Sequence, residues 1–290
     1  MRAMSTGFAV LGVGLVAVTV GVVPAEAQPG GRRREPSGAR MQLLELAHRV
    51  VVEEAIDVLP KQLKSFYKNH RMEMPSQGPE PEFPERGPDR RFQVDRLVPF
   101  PFKGLPRSEQ AFLSKFGEEA EKVGRLPWLV HASYDRLLEA YRAEDKAEIL
   151  LGSDEMAGFM VDLNGPLNLT QNFDGQNTGQ HGLWLRLTEK LPQAMGKDLK
   201  LHSDAANFLD KPHEYVFSVM LETYVWVDNF LYLDALAARG KGGYGEYYFD
   251  DFARRAGPIL RERLSHAAED TASYWYTAWT AAGRPELDKK

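Results

Sequence analysis

The chain predicts an all-α fold. Apolar residues recur at three- and four-residue steps over most of its length, capping and stop residues frame those runs, and no useful stretch alternates apolar with polar residues as a strand would. From Gln42 to Tyr67, the residues Leu44, Ala47, Val51, Ala55 and Leu59 define one buried face and predict a first helix. Ser108 is placed to cap a helix running to about Gly124, and Pro127 to open another reaching Arg142. A further helix spans Asp145 to Leu163, and a long one starts at Asp210 and Pro212 and continues to Gly240. The last, from Asp251 to Ala282, carries Leu260, Leu264, Ala268, Trp275 and Trp279 on one face and stops at Gly283-Arg284-Pro285. The 250 residues from Met41 onward suit a single-domain helical bundle with one core, residues 41–290.

Composition narrows the setting. Residues 1–27 carry Arg2, an apolar run from Phe8 to Val23, and Ala25-Glu26-Ala27, the layout of a secretory signal peptide cleaved near Ala27. The expected location is therefore secreted or periplasmic. Residues 28–40, rich in Gly, Pro and Arg, read as a flexible linker. No later segment is apolar enough to cross a membrane. The chain has no cysteine, which excludes thiolate-bound zinc and disulfides. A net charge of −5 without a basic face beyond the linker argues against a nucleic-acid partner. Residues 72–107 hold eight prolines and break the helical pattern, and a loop this long in a compact domain is expected to be functional.

The informative stretch is 158–189, GFMVDLNGPLNLTQNFDGQNTGQHGLWLRLTE. It resembles the core of the zinc-dependent phospholipase C and single-strand-specific nuclease superfamily, of the nuclease P-one type, in its bacterial secreted branch. Asp162, Pro166, Leu167, Asn172, Asp174-Gly175-Gln176, Thr178-Gly179, Gly182 and Arg186 keep that family's pattern. The segments around His48 to Pro60, Lys115-Phe-Gly, Arg125-Leu-Pro-Trp and Trp275 to Leu287 extend the resemblance over most of the expected domain. It implies a helical fold whose cleft holds zinc ions that polarise a phosphodiester and generate hydroxide, with the Pro-rich region walling the cleft.

At the positions of the metal ligands, however, Gly158, Asn168 and Trp184 stand for histidines and Thr188 for a carboxylate. Arg91 aligns with a further histidine, Leu43 with an amino-terminal tryptophan, and Glu80 or Asp89 with an aspartate. The resemblance leaves His48 and Asp162 as residual ligands, too few for zinc ions that each need about four donors. A glycine inside a helix costs about 1 kcal/mol relative to alanine, so Gly158 marks close packing or a vacated space. His181 and Glu189 lie one to three residues out of register, and an α-helical shift by one position turns Glu189 about 100° away.

The cleft is expected to be lined by His48, Arg91, Asp162, Asn164, Asn168, His181 and Trp184. Three readings follow: a degenerate, non-catalytic binding or structural module; a metal-dependent phosphodiester hydrolase with a reduced site built from His48, Asp162 and one of Asp89, Asp95 or His181; and a helical scaffold without ligand. For Arg91 there are two expectations, an ion pair with Asp162 that fills the metal space, or a site for an anionic or phosphate-bearing small molecule. His131, His202, His213 and His266 match no ligand position, and Trp226, Trp275 and Trp279 fall at core spacing.

Overall fold

The computed structural model describes residues 37–78 and 87–288, with side chains from Leu46 onward. The apolar leader, most of the linker and Glu80 lie outside the described residues. The order is α1 (Ser37–Val58), α2 (Lys61–His70), α3 (Glu109–Phe116), α4 (Glu118–Glu121), α5 (Leu126–Arg142) and α6 (Lys146–Leu163). There follow α7 (Leu183–Leu185), a π-helical stretch Arg186–Lys190, α8 (Leu191–Met195), α9 (Pro212–Tyr224), α10 (Val227–Ala238) and α11 (Glu246–Ala281). No strand occurs among the described residues, so the fold is all-α. Nor is any described helix long and apolar enough to cross a membrane.

The 36-residue α11 is the hub, packing against α1, α5, α6, α8 and α10. Its Trp275 is fully buried, stacks on Tyr67 of α2 at 4.5 Å between centroids, and donates from Nε1 to the Ser153 carbonyl of α6 at 3.1 Å. Burying an aromatic side chain of this size contributes a few kcal/mol, and its N–H needs the partner it has. The expected face of α1 is buried at Ala47, Val51, Ala55 and Leu59. Ser108 caps as expected, its Oγ accepting from Ala111 N, and Pro127 lies in the first turn of α5; Asp145, expected as the start of a helix, caps α6 by accepting from Glu148 N.

Several helices are shorter than their periodicity suggests. The run 42–67 divides at Leu59-Pro60, because Pro60 has no N–H to donate and restricts the residue before it. The run 108–124 divides at Gly117, whose φ is +54°. The run 210–240 divides at Val225-Trp226, within β-branched and aromatic residues that form helix poorly. α1 begins at Ser37, so the last residues of the expected linker are helical.

The Pro-rich region contains no α-helix among its described residues beyond the single 3-10 turn Arg71–Glu73 at its start and the turns Pro88–Arg90 and Val94–Arg96. It is nonetheless held tightly. Phe92, Val94, Phe102 and Leu105 are buried, and the backbone of 89–93 is laced to its neighbours by Arg125 N to Asp89 O at 2.9 Å, Leu126 N to Arg91 O at 3.2 Å, Gln93 N to Val123 O at 2.8 Å and Phe92 N to Asn168 O at 2.8 Å. This pairing requires Gly124. Its φ is +88°, and a Cβ there would stand 2.3 Å from the Arg91 carbonyl oxygen. Gly124→Ala is expected to cost about 2–4 kcal/mol, from backbone strain plus displacement of the 89–93 segment. Urea unfolding measures this, and a loss below ~0.5 kcal/mol would show that the segment yields freely.

Candidate functional site

Asp162 and Gly158 lie on one face of α6, four residues apart, and both are buried. The Pro88–Arg90 turn brings Arg90 onto this face. Its Nε donates to Asp162 Oδ2 at 2.6 Å, its Cζ lies 4.6 Å from the Phe159 ring centroid, and only 7% of the residue is exposed. The role expected of Arg91 thus belongs to its neighbour. A Cβ on residue 158 would be 2.8 Å from Arg90 Nη2 and 3.2 Å from His48 Cε1. The glycine therefore makes room for a guanidinium and an imidazole side by side. Arg90 Nη2 is buried there without a hydrogen bond, a cost the ion pair must offset.

His48, 1% exposed, is fixed from the other side. Its Nε2 lies 2.9 Å from the Asp154 carbonyl oxygen and 3.6 Å from Asp154 Oδ2. Asp154 Oδ1 in turn accepts from the hydroxyl and backbone N–H of Ser76. Burial pushes the Asp154 carboxyl up to about 6, against those two hydrogen bonds.

Two further ligand-aligned positions bond to each other, Trp184 Nε1 donating to Asn168 Oδ1 at 2.9 Å. Asn168 Nδ2 donates to the Asp162 carbonyl at 2.8 Å. Asn164 points the other way, into a buried network: its Nδ2 donates to Asp270 Oδ2 at 2.9 Å, its Oδ1 accepts from Arg263, and Tyr215 donates to Asp270 Oδ1 at 2.6 Å. Burial raises the Asp270 carboxyl and lowers the Arg263 guanidinium. A cavity of about 40 Å³ separates this network from Asn168 and Thr188, with Ala47, Leu187 and Leu264 in its walls. A wider concavity of about 520 Å³, between α2 and the chain end at Lys61, Phe66, Trp279 and Leu287, touches none of these groups.

Arg91 lies outside the Arg90–Asp162 pair. Its Cζ is 4.0 Å from the Phe173 ring centroid and 5.3 Å from that of Trp184. His181 is exposed, and it is its carbonyl that is used, accepting from Arg186 Nη1 at 2.7 Å; it is not gathered with His48 and Asp162. Asp89 is exposed, and Asp95 fastens loops by accepting from Thr170 Oγ1, Gln171 N and Tyr224 OH. Glu189 is buried in the π-helical stretch, so the rotation expected of an α-helix does not apply there.

The retained motif residues shape the loop. Asp174 accepts from Gly182 N and Trp184 N, Asn172 Oδ1 from Asn177 N, and Gln176 Oε1 from Asp174 N. Arg186 donates to Asp234 Oδ1 at 2.9 Å and to the Gln180 carbonyl, while Gln180 Nε2 donates to Asp234 Oδ2 at 2.7 Å.

Zinc does not fit this donor set. A guanidinium occupies one oxygen of the Asp162 carboxylate and shares the space over Gly158 with His48. Among the described residues no three His, Cys, Asp or Glu side chains are grouped to hold a metal ion.

Two measurements check this geometry. Gly158→Ala and Arg90→Met should be strongly non-additive, with a coupling of about 1–3 kcal/mol, because the closest clash of the added methyl, at 2.8 Å, is with the guanidinium; additive losses in a double-mutant cycle would separate the two residues. The Asp154 carboxyl binds its proton more tightly folded than unfolded, so it favours the native state below about pH 4 and loses that contribution as pH rises to about 6. The stability of the native protein relative to Asp154→Asn should therefore fall over this window, and a flat difference in urea unfolding would contradict the assignment.

A comparison with models of known protein families gives no match, and a search of curated proteins gives none.

Proposed function

We propose that this chain is an exported, phospholipase C/nuclease-like protein with a degenerate zinc site, serving as a non-catalytic binding or structural module. The observation that carries the reading is the ion pair of Arg90 with Asp162 at 2.6 Å, in the space over Gly158. A catalytic zinc cluster needs neutral imidazoles and carboxylates open to a metal and to water. Here the candidate carboxylate is neutralised by an arginine, and the candidate histidine shares the space over Gly158 with that arginine and is bound to Asp154. Two ligand-aligned positions, Asn168 and Trp184, satisfy each other. Export rests on the apolar run Phe8 to Val23 and on Ala25-Glu26-Ala27.

Each substitution supplies a contact that a metal ion would otherwise supply. The ion pair ties the Pro-rich segment to α6, and the Asn168–Trp184 hydrogen bond ties the turn after α6 to α7. The alternative, a phosphodiester hydrolase with a reduced metal site, would have to displace a guanidinium buried in an ion pair with Asp162, and breaking a buried pair costs about 3–5 kcal/mol.

Purified protein dialysed against micromolar zinc and analysed by mass spectrometry of metals should hold less than one zinc per chain. Two or three tightly held ions, with phosphodiester cleavage that a chelator abolishes, would overturn the reading.

A further inference from the structure

We propose that the Arg91 guanidinium, with the Phe173 and Trp184 rings, forms a recognition site for the carboxylate of a small organic anion. The two neighbouring arginines have different partners. Arg90 has a carboxylate, whereas Arg91 has aromatic rings at 4.0 Å and 5.3 Å and no hydrogen-bond acceptor among the described residues. None of its nitrogens is sealed from solvent, and the residue is half-buried. A guanidinium over an aromatic ring is held by its face, so its edge, with its fork of N–H donors, remains available.

That edge matches a planar, two-oxygen acceptor, which a carboxylate is. Local charge narrows the choice further. The carboxylates of Asp162 and Asp174 lie within electrostatic reach of Arg91 and already offset part of its field. A singly charged anion fits that balance better than a dianion, which would meet stronger repulsion from Asp174. Phe173 and Trp184 are each partly exposed and give the organic portion of the anion an apolar surface. Trp184 is held in place by Asn168, so the surface is pre-formed.

The proposal rests on the metal-free reading of the cleft in one respect, since an oxyanion bound to zinc would also report at Trp184. The test is therefore a titration of the full chain with benzoate, acetate and inorganic phosphate at constant ionic strength, with and without chelator, following the indole N–H resonance of Trp184 by NMR. Saturable benzoate binding with a dissociation constant of ~1 mM is expected in chelator, with acetate weaker and phosphate weakest. Arg91→Gln should weaken benzoate at least ~10-fold and Arg91→Lys several-fold, because an ammonium lacks the fork. Both variants should keep the melting temperature within a few degrees, since Arg91 donates to no acceptor among the described residues. Absence of saturable binding with and without zinc, benzoate binding untouched by Arg91→Gln, or phosphate bound more tightly than benzoate would overturn this site alone. Binding that appears only when zinc is added would overturn the metal-free reading and this site with it.

Discussion

The arrangement around the cleft depends on one buried ion pair, Arg90 with Asp162. Burying two charges is expensive, and the Coulombic attraction repays that cost only when the geometry is good and the remaining polar atoms find partners. The geometry is good: Nε to Oδ2 is 2.6 Å, and the guanidinium lies along the Phe159 ring. Satisfaction is incomplete, because Nη2 has no acceptor. A pair of this kind contributes less to net stability than to choice of conformation. It holds a Pro-rich segment that has little regular structure of its own against α6 in a single register, since any other register would leave a carboxylate or a guanidinium buried alone.

The division of labour between the two arginines follows from backbone shape. Arg90 ends a 3-10 turn, and Arg91 follows in an extended conformation, φ −114° and ψ 173°. Successive side chains along extended backbone point to opposite sides. One arginine therefore enters the core, and the next emerges beside Phe173 and Trp184. The backbone lacing of 89–93 to 123–126, with Gly124 at its closest approach, fixes which is which.

Much of the fold was legible because it is written locally. Helix periodicity, the Ser108 and Asp145 caps and the buried face of α1 depend on residues within a few positions of one another. Asp162 and Gly158 were legible for the same reason, being one turn apart on a helix. The breaks at Gly117 and Val225 were not, because an apolar stripe does not record a change of helix axis. The site resisted where it depends on distant partners: Arg90 reaches Asp162 across 72 residues, His48 reaches Asp154 across 106, and Arg263 reaches Asn164 across 99. A one-residue error in an irregular segment was enough to exchange the two arginines. His181 was misplaced because loop composition says nothing of which side chains turn inward.

The motif residues that survive separate two kinds of constraint that a sequence pattern merges. Asp174, Asn172, Gln176 and Arg186 bind backbone groups or Asp234, and so determine the path of the chain from the end of α6 into α7. None needs a metal to do so. The positions that the proposed reading aligns with metal ligands, Gly158, Asn168, Trp184 and Thr188, meet protein groups: Arg90 and His48 over Gly158, Asn168 with Trp184, and Thr188 with the Trp184 carbonyl. A metal centre links several chain segments through one exchangeable ion, whereas these contacts link them pairwise and permanently. On the proposed reading, such pairwise contacts keep the segments joined without an ion. On the proposed reading, a cation beside Asp162 with histidines at the ligand positions would repel a metal without completing the packing, and an empty space over Gly158 without Arg90 would cost the aspartate its buried ion pair.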